Sequence, residues 1–384
     1  MIDGEHYAPV VRDALAALPY DFVAAVLVGG TEKLRGAEEY GVPLAASLED
    51  ALAGAEVVVD LSDEPVLGPR ERLALASRVL AAGLPYVGAD FRFDPPAYEP
   101  FELPSIAVIG TGKRVGKTAV TGHLARHLAR DRKVVVVAMG RGGPAEPEVI
   151  RAAPTVADLL ALSREGRHAA SDHLETAALV GVPTVGCRRC GGGLAGATFT
   201  STVVEGARIA AGLEPEIVVF DGSGAAIPPI ATGARVLVAH DLDAGLNRYR
   251  ALVSDLVLTM SDEVVAAEPR ALRFDLRLKP AEALDGRRTA VFTTGPAPLG
   301  HLDNVVFSSR NLADRDALAR ELEAVDADVF LVELKAAAID LVAEVAAARG
   351  IDVVLAANAV VAPGLDEAFD QLARRAEARD NVRR

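Results

Sequence analysis

Aromatic residues and cysteines are scarce in this sequence. Its 384 residues include 6 Tyr, 11 Phe and no Trp, so few rings are available on which single-stranded nucleic acid could stack. With two cysteines, Cys187 and Cys190, a framework of disulfide bonds is excluded. No stretch approaches ~20 uninterrupted apolar residues, and the N-terminus lacks the basic and apolar regions of an export signal. We therefore expect a cytoplasmic protein that binds neither nucleic acid nor a membrane.

Positively charged side chains are fewer than negatively charged ones. The chain has 40 Lys and Arg against 54 Asp and Glu, which gives a net charge of −14. An anionic ligand must therefore be held by a local cluster of positive side chains. Hydrophobic residues make up 51% of the chain and charged residues 24%, which are ordinary values for a globular protein. The length suggests about two to three domains.

Short β-branched runs alternate with Ala/Leu-rich segments along the whole chain, which is typical of βα units and mostly parallel sheets. We predict a multi-domain α/β protein. A central P-loop NTPase-like domain, 101–245, is flanked by Rossmann-like α/β blocks, 1–100 and 246–384. A Pro-rich linker is expected at 91–96. The predicted strands are 22–28, 56–61, 86–90, 106–109, 133–139, 217–220, 235–239, 256–260, 289–294, 304–307, 329–333 and 353–356. The predicted helices are 48–54, 70–82, 117–130, 155–180, 314–325, 338–348 and 365–378.

Residues 110–118 read Gly-Thr-Gly-Lys-Arg-Val-Gly-Lys-Thr between a predicted strand and a predicted helix. This is the context of a phosphate-binding loop, in which backbone N–H groups and a helix N-terminus face the phosphates. Lys117 would reach the β- and γ-phosphates, and the Thr118 hydroxyl would hold Mg²⁺. The strict pattern has Gly where Thr111 stands, and a dinucleotide fingerprint or a plain Gly-rich turn remains an alternative. We expect ATP to be bound by Gly110, Thr111, Gly112, Lys113, Arg114, Val115, Gly116, Lys117 and Thr118.

Asp221 follows the apolar run 217–220, so it is predicted at the carboxyl end of a strand, where open α/β sheets bind ligands. This position suits the second metal ligand beside Thr118. A surface aspartate that begins a turn is the alternative. The guanine-selecting sequence Asn-Lys-x-Asp is absent from the chain, which favours ATP over GTP.

Several further positive side chains fall on loops near the same sheet edge, although any one of them could be an ordinary surface charge. Guanidinium groups bind phosphates and carboxylates bidentately, so the cluster predicts an anionic substrate. The residues expected to act in catalysis are Lys117, Lys113 and Arg141. The residues expected to bind the substrate are His6, Arg92, Arg141, Arg188 and Arg189.

His6 lies in the polar segment Asp-Gly-Glu-His-Tyr, residues 3–7. It is placed to orient a substrate or take up a proton, although the same segment would fit the capped start of a helix. The chain begins so close to Asp3 that the strand expected before it is either very short or starts upstream of Met1.

The pair Cys187 and Cys190 lies in the Gly-rich segment 186–193, which we predict to be a turn. A structural Zn²⁺ site needs four ligands, and two thiols do not supply them within one chain. His173 or a second chain could add ligands, and a redox pair is a third possibility. A plain structural loop is favoured over both.

The chain resembles the cyclic 2,3-diphosphoglycerate synthetase family nearly from end to end, and its P-loop is similar to that of dethiobiotin synthetase. One departure is Asp221, where the family is expected to have Glu. The motifs that carry the resemblance are Ile2-Asp3-Gly4-Glu5-His6-Tyr7, Gly29-Gly30-Thr31-Glu32-Lys33-Leu34, the segments 110–118, 139–144 and 186–193, Asp221-Gly222-Ser223-Gly224-Ala225-Ala226-Ile227-Pro228-Pro229, and Glu333-Leu334-Lys335-Ala336-Ala337-Ala338.

The resemblance implies an ATP- and Mg²⁺-dependent ligase. It would form the intramolecular phosphoanhydride of cyclic 2,3-diphosphoglycerate from 2,3-diphosphoglycerate, with release of ADP and phosphate. It also implies a homodimer. Two alternatives remain: another P-loop ligase or kinase acting on a phosphorylated or carboxylated metabolite, and a nucleotide-switch ATPase that regulates a partner.

Overall fold

The computed structural model describes residues 1–36, 38–166, 171–334 and 339–383. The chain forms two compact units, Met1–Ala97 with Asp241–Val253 and Tyr98–His240 with Ser254–Arg384. Within the described residues, no helix has the length and apolar character needed to cross a membrane. The division into three domains at residues 100 and 245 stays a prediction.

Helices and strands alternate along most of the described chain. The helices are α1 (Ala8–Ala17), α2 (Leu48–Leu52), α3 (Pro69–Ala81), α4 (Lys117–Leu128), α5 (Val156–Arg164), α6 (Asp172–Val180), α7 (Val203–Ala211), α8 (Asn247–Leu252), α9 (Asp262–Ala267), α10 (Arg315–Ala324), α11 (Ile339–Arg349) and α12 (Leu365–Arg383). The strands are β1 (Val58–Val59), β2 (Tyr86–Val87), β3 (Arg92–Phe93), β4 (Ser105–Gly110), β5 (Val134–Gly140), β6 (Glu148–Ile150), β7 (Thr184–Cys190), β8 (Thr200–Ser201), β9 (Ile217–Asp221), β10 (Ala234–Ala239), β11 (Leu256–Thr259), β12 (Ala271–Arg273), β13 (Asp275–Pro280), β14 (Thr289–Phe292), β15 (Val305–Ser309), β16 (Val329–Glu333) and β17 (Asp352–Val361).

The first unit contains a small sheet in the order β1-β2-β3. Backbone bonds extend it: Leu61 N–H donates to Met1 O at 3.0 Å, and Ile2 N–H donates to Val26 O at 3.0 Å. A parallel bridge from Ala25 to Leu44 adds a further chain segment. With these added segments, the sheet has the strand order of a Rossmann-like fold. The expected strand 22–28 lies in this place but forms bridges instead of a continuous ladder.

The second unit is built on a nine-stranded sheet, counted over the described residues. Its order is β12-β11-β10-β4-β9-β5-β7-β6, with β8 paired to β7. The pairs from β12 to β7 are parallel, and β6 and β8 pair with β7 in the antiparallel direction. Every residue of β4, β5 and β9 is buried, as expected for strands of a parallel sheet that is covered on both faces.

A second sheet in this unit has the order β13-β17-β16-β14-β15, in which the β13–β17 pair is antiparallel. Helix α12 buries Phe369 and Leu365 in the same core as Leu124 of α4, which fixes the helix that follows the P-loop. The predicted α/β fold with mostly parallel sheets and a central P-loop domain is confirmed.

Three local predictions were wrong. The helix 155–180 is two helices, α5 and α6, and residues 167–170 lie outside the described part. The turn at 186–193 begins at Gly191, because residues 184–190 form β7. The linker 91–96 contains β3. Helices α1, α7, α8 and α9 were not predicted. Residues 335–338, which end the last family motif, also lie outside the described residues.

Candidate active site

The loop at 110–118 lies between strand β4 and helix α4, as its sequence predicts. Gly116 precedes α4 with φ 92°, a conformation that favours glycine. A Cβ on Gly110 would lie 3.1 Å from Gly224 O, so a side chain there would press on the loop that follows β9. Thr111, where the strict pattern has glycine, accepts a hydrogen bond from the His240 N–H at 3.0 Å through Oγ1. Thr111 thereby ties the loop to the end of β10.

Lys117 and Asp221 form a buried ion pair beneath this loop. Lys117 Nζ lies 2.5 Å from Asp221 Oδ1, and Thr121 Oγ1 donates to the same oxygen at 2.8 Å. Asp221 is fully buried, and burial raises the pKa of its carboxyl above the usual range, although Lys117 opposes the shift. The second oxygen, Asp221 Oδ2, has no hydrogen-bond partner in the described part of the chain.

Strand register explains why residues far apart in sequence meet at this edge. Asp221 is aligned with Val108 of β4 and with Ala138 of β5, and Gly140 is aligned with Arg188 of β7. The carboxyl ends of four neighbouring parallel strands therefore point to one edge, as in other open α/β sheets that bind ligands there.

A cavity of about 390 Å³ opens at this edge. Its lining brings together the P-loop, the end of β5, the start of α6 and the loop after β9. The lining residues are Gly112, Lys113, Arg114, Val115, Gly116, Lys117, Thr118, Gly140, Arg141, Gly142, Ser171, Asp172, Glu175, Ser223 and Gly224. The structure thus assembles most of the expected ATP-binding residues with Arg141.

Arg189 is held beside the cavity by two backbone carbonyls. Its Nη1 donates to Gly191 O at 2.7 Å, and its Nη2 donates to Ser223 O at 2.8 Å. A Cβ on Gly224 would lie 3.3 Å from Arg141 Nη2 and 3.6 Å from Arg189 Nη2, so the two guanidinium groups approach the same glycine. Burial and the positive charge of Arg141 lower the pKa of Arg189. An anion bound here would relieve this repulsion between like charges.

Arg188 and Arg189 occupy the end of β7, and not a turn as predicted. Their strand is aligned with β5, so they extend the edge that carries Arg141. Arg188 and Arg141 are exposed, and neither forms an ion pair with any described residue. Free guanidinium groups at a sheet edge are suited to bind phosphate or carboxylate.

Sequence reasoning missed two carboxylates on α6. Asp172 and Glu175 line the cavity, and the charge of Asp172 contributes to the raised pKa of Asp221. They were overlooked because one helix was predicted over 155–180, which hid the helix start at Ser171. The signal was present: Ser followed by Asp is a common N-cap and first-turn pair.

The groups that could hold Mg²⁺ are the Thr118 hydroxyl and the carboxylates of Asp221 and Asp172. They supply the hard oxygen ligands that Mg²⁺ prefers, and the unpartnered Asp221 Oδ2 is a buried acceptor without a donor. No group of three or more His, Cys, Asp or Glu side chains with a metal-binding arrangement occurs within the described residues. Phosphate oxygens and water would therefore have to complete the coordination shell, which is usual for Mg²⁺.

Cys187 and Cys190 are three residues apart in β7. Side chains three residues apart in a strand point to opposite faces of the sheet. Cys187 is buried and Cys190 is exposed. Burial raises the pKa of Cys187 to about 12, so this thiol stays protonated at neutral pH. The arrangement does not favour a metal or disulfide shared by these two thiols.

His6 and Arg92 belong to the first unit, and each faces carboxylates there. His6 Nδ1 lies 2.8 Å from Asp3 Oδ1, and His6 Nε2 lies 3.4 Å from Asp63 Oδ2. Arg92 Nη2 lies 2.7 Å from Asp94 Oδ1. Both side chains thus already have carboxylate partners, and their contact with an anionic substrate stays a prediction.

The chain matches profiles of three domains over most of its length. All three are domains of cyclic 2,3-diphosphoglycerate synthetase. The N-terminal domain matches residues 1–94, the P-loop domain matches residues 105–275, and the C-terminal domain matches residues 280–359. The protein named cyclic 2,3-diphosphoglycerate synthetase in Rubrobacter xylanophilus is 49% identical to this chain. The alignment covers 98% of this chain and 97% of that protein. The one in Pyrococcus horikoshii is 42% identical, with 89% and 87% covered.

Among solved structures, LpxK from Aquifex aeolicus in complex with ATP matches with a TM-score of 0.44 and 15% identity. The match covers 73% of this chain and 90% of that one. A likeness at this level does not by itself define a shared fold.

Proposed function

Because the chain belongs to the cyclic 2,3-diphosphoglycerate synthetase family, we propose that it closes 2,3-diphosphoglycerate to its cyclic phosphoanhydride. ATP and Mg²⁺ are required, and ADP and phosphate are released. The observation that supports this most is one cavity lined by the P-loop lysine Lys117 and by Arg141, with Asp221 buried beside Lys117.

The P-loop side of the cavity would bind ATP. Lys117 is 9% exposed and pairs with Asp221, and on nucleotide binding it would turn from this carboxylate to the β- and γ-phosphates. Thr118 and Asp221 would then hold Mg²⁺, with Asp172 beside them. Bound Mg²⁺ supplies positive charge that offsets the charge on the transferring phosphoryl group.

The arginines at the sheet edge, of which Arg141 lines the cavity, would bind the substrate. Two phosphates of one small molecule repel each other, and this repulsion must be offset before they can join. Arg141, Arg188 and Arg189 supply fixed positive charge next to the P-loop. Lys113 and Arg114 are exposed in the P-loop and line the same cavity as Arg141. They would add positive charge there.

The reaction needs positioning more than proton transfer. The bond between the γ-phosphorus and its bridging oxygen breaks as an oxygen of one substrate phosphate attacks. The other substrate phosphate then attacks the phosphorus of this first substrate phosphate, and the former γ-phosphoryl group leaves as inorganic phosphate. Phosphate oxygens are largely ionised at pH 7, so a general base is not required. Lys117, Lys113 and Arg141 would stabilise the charge that develops in both steps.

We also propose a cytoplasmic homodimer. This rests on the family resemblance and on composition, and gel filtration with light scattering tests the dimer directly.

Phosphorus NMR of a reaction with ATP, Mg²⁺ and 2,3-diphosphoglycerate tests the function. We expect ADP, phosphate and a new P–O–P resonance that is coupled to the glycerate protons. A parallel reaction with 2-phosphoglycerate tests for a kinase, since this substrate has one phosphate and cannot close the ring. Phosphorylation of 2-phosphoglycerate without any cyclic product from 2,3-diphosphoglycerate would overturn the proposal.

A further inference from the structure

Ser171 stands out among the polar residues that surround the cavity. It precedes α6, is 6% exposed and lines the cavity. Its hydroxyl does not cap the helix and has no hydrogen-bond partner among the described residues. Thr155 at the start of α5 behaves differently, because its hydroxyl accepts the Asp158 N–H at 3.2 Å.

A buried hydroxyl without a partner is unfavourable, because it loses its hydrogen bonds to water and gains none in exchange. Ser171 is nevertheless withdrawn from helix capping, where a partner is within reach in most helices. The hydroxyl is therefore free to bond something that the cavity receives. The neighbouring positive side chains Lys117 and Arg141, and the N-terminus of α6 itself, favour an anionic acceptor.

The carboxylates of Asp172 and Glu175, on the first turn of α6, would repel an anion in the cavity. They are outnumbered in the cavity lining by Lys113, Arg114, Lys117 and Arg141. A phosphoryl group is thus compatible with the net charge of the lining. A serine hydroxyl also suits this position, because it donates a hydrogen bond to phosphate without adding charge.

We propose that the Ser171 hydroxyl donates a hydrogen bond to a phosphoryl oxygen bound in the P-loop cavity. This rests on the proposed function, in which that oxygen belongs either to the γ-phosphate of ATP or to a phosphate of 2,3-diphosphoglycerate. Both sources present the same acceptor chemistry. Ser171 would position this group for transfer.

The test is Ser171→Ala, measured by calorimetric titration with Mg²⁺–ATP and, separately, with 2,3-diphosphoglycerate. We expect one affinity to fall about ten- to hundredfold, the range for a hydrogen bond to a charged group. The thermal midpoint of the ligand-free protein should stay equal or rise, since the substitution removes an unsatisfied hydroxyl. A purely structural serine would show the reverse pattern, with lower stability and unchanged affinities.

Thr176→Val is the matched control. Thr176 lies on the same helix, is 2% exposed and also has an unpartnered hydroxyl among the described residues, but it does not line the P-loop cavity. We expect this variant to leave both affinities unchanged. Ser171→Thr, which keeps a hydroxyl, should recover most of the lost affinity.

The outcomes separate the inference from the function on which it rests. A loss confined to ATP assigns the contact to the γ-phosphate, and a loss confined to 2,3-diphosphoglycerate assigns it to the substrate. Unchanged affinities for both ligands would overturn the inference. So would a higher Mg²⁺ requirement with unchanged affinities at saturating Mg²⁺, because the hydroxyl would then be a metal ligand. If the wild type binds no 2,3-diphosphoglycerate, the proposed function fails, while the ATP arm still tests Ser171.

Discussion

Lys117 Nζ lies 2.5 Å from Asp221 Oδ1, and both side chains are withdrawn from water, with exposures of 9% and 0%. The pair joins the first residue of α4 to the last residue of β9. Asp221 accepts a second hydrogen bond from Thr121, so one carboxylate oxygen is fully engaged while the other is not. Under the proposed function, a phosphate in the loop would compete with Asp221 for the ammonium of Lys117.

We expect Lys117→Ala to abolish formation of the cyclic product and also to destabilise the protein. The substitution removes the cation that faces the phosphates and leaves Asp221 buried without its ion-pair partner. Breaking a buried pair from one side typically costs about 3 kcal/mol or more. Urea unfolding measures the stability loss, and phosphorus NMR measures the product.

Lys117→Ala combined with Asp221→Asn is the matched control for this prediction. The double variant replaces the buried charge with a neutral amide, so it should regain stability without regaining activity. A Lys117→Ala protein with near-normal turnover would contradict the P-loop assignment. A double variant as unstable as the single one would contradict the explanation by buried charge.

Arg141→Ala and Arg188→Ala should weaken binding of 2,3-diphosphoglycerate by about tenfold, and binding of ATP by less. Both side chains are exposed at the arginine side of the sheet edge, so their removal should change stability by less than about 0.5 kcal/mol. Calorimetric titration with each ligand measures the two affinities. Arg208→Ala, an exposed arginine of α7 outside the cavity lining, should change neither. Equal losses for both ligands would place these arginines elsewhere.

The buried parallel strands were predictable because each is an unbroken apolar run. Strands β4, β5 and β9 are buried at every residue, and the expected segments 106–109, 133–139 and 217–220 coincide with them. Strand β7 was not predicted, since its burial stops after Cys187 and its last residues are two arginines and a cysteine. Its extended form comes from pairing with β5, which the local sequence does not show.

The same contrast applies to the site. Lys117 and Asp221 each follow a recognisable strand or loop, and parallel strands bring such positions to one edge. Asp172 and Ser171 depend on where α6 begins, which the Ala/Leu-rich run 155–180 conceals. The contact of Arg189 with Ser223 O joins β7 to the loop after β9, and spacing alone does not predict a contact of this kind.

Asp366 links α12 to the P-loop helix and should make stability depend on pH. His123 Nε2 lies 2.7 Å from Asp366 Oδ1, and this contact lowers the pKa of Asp366. A carboxyl with a lowered pKa in the folded state contributes stability above its unfolded pKa, and loses it as the pH falls through the folded value. Asp366→Asn should therefore lower the thermal midpoint at pH 7, with a difference that shrinks below about pH 4.

Asp13→Asn is the control for this pH dependence. Asp13 is exposed on α1 and has no hydrogen bond or ion pair within the described residues, so its substitution should shift the thermal midpoint little at any pH. An Asp366→Asn midpoint equal to that of the wild type at pH 7 would contradict a stabilising contact between α4 and α12. A difference that persists unchanged in acid would contradict its electrostatic origin.

The two cysteines should differ in reactivity and contribute little to activity. Cys190 is exposed, while burial raises the pKa of Cys187 to about 12. Because the thiolate is the reactive form, iodoacetamide at pH 8 should label Cys190 and spare Cys187, as peptide mass spectrometry would show. The double variant Cys187→Ala/Cys190→Ala should retain most of the synthetase activity, with and without reductant. Stoichiometric zinc by elemental analysis, or loss of activity in a double variant that still folds, would show instead that these thiols hold a metal or act as a redox pair.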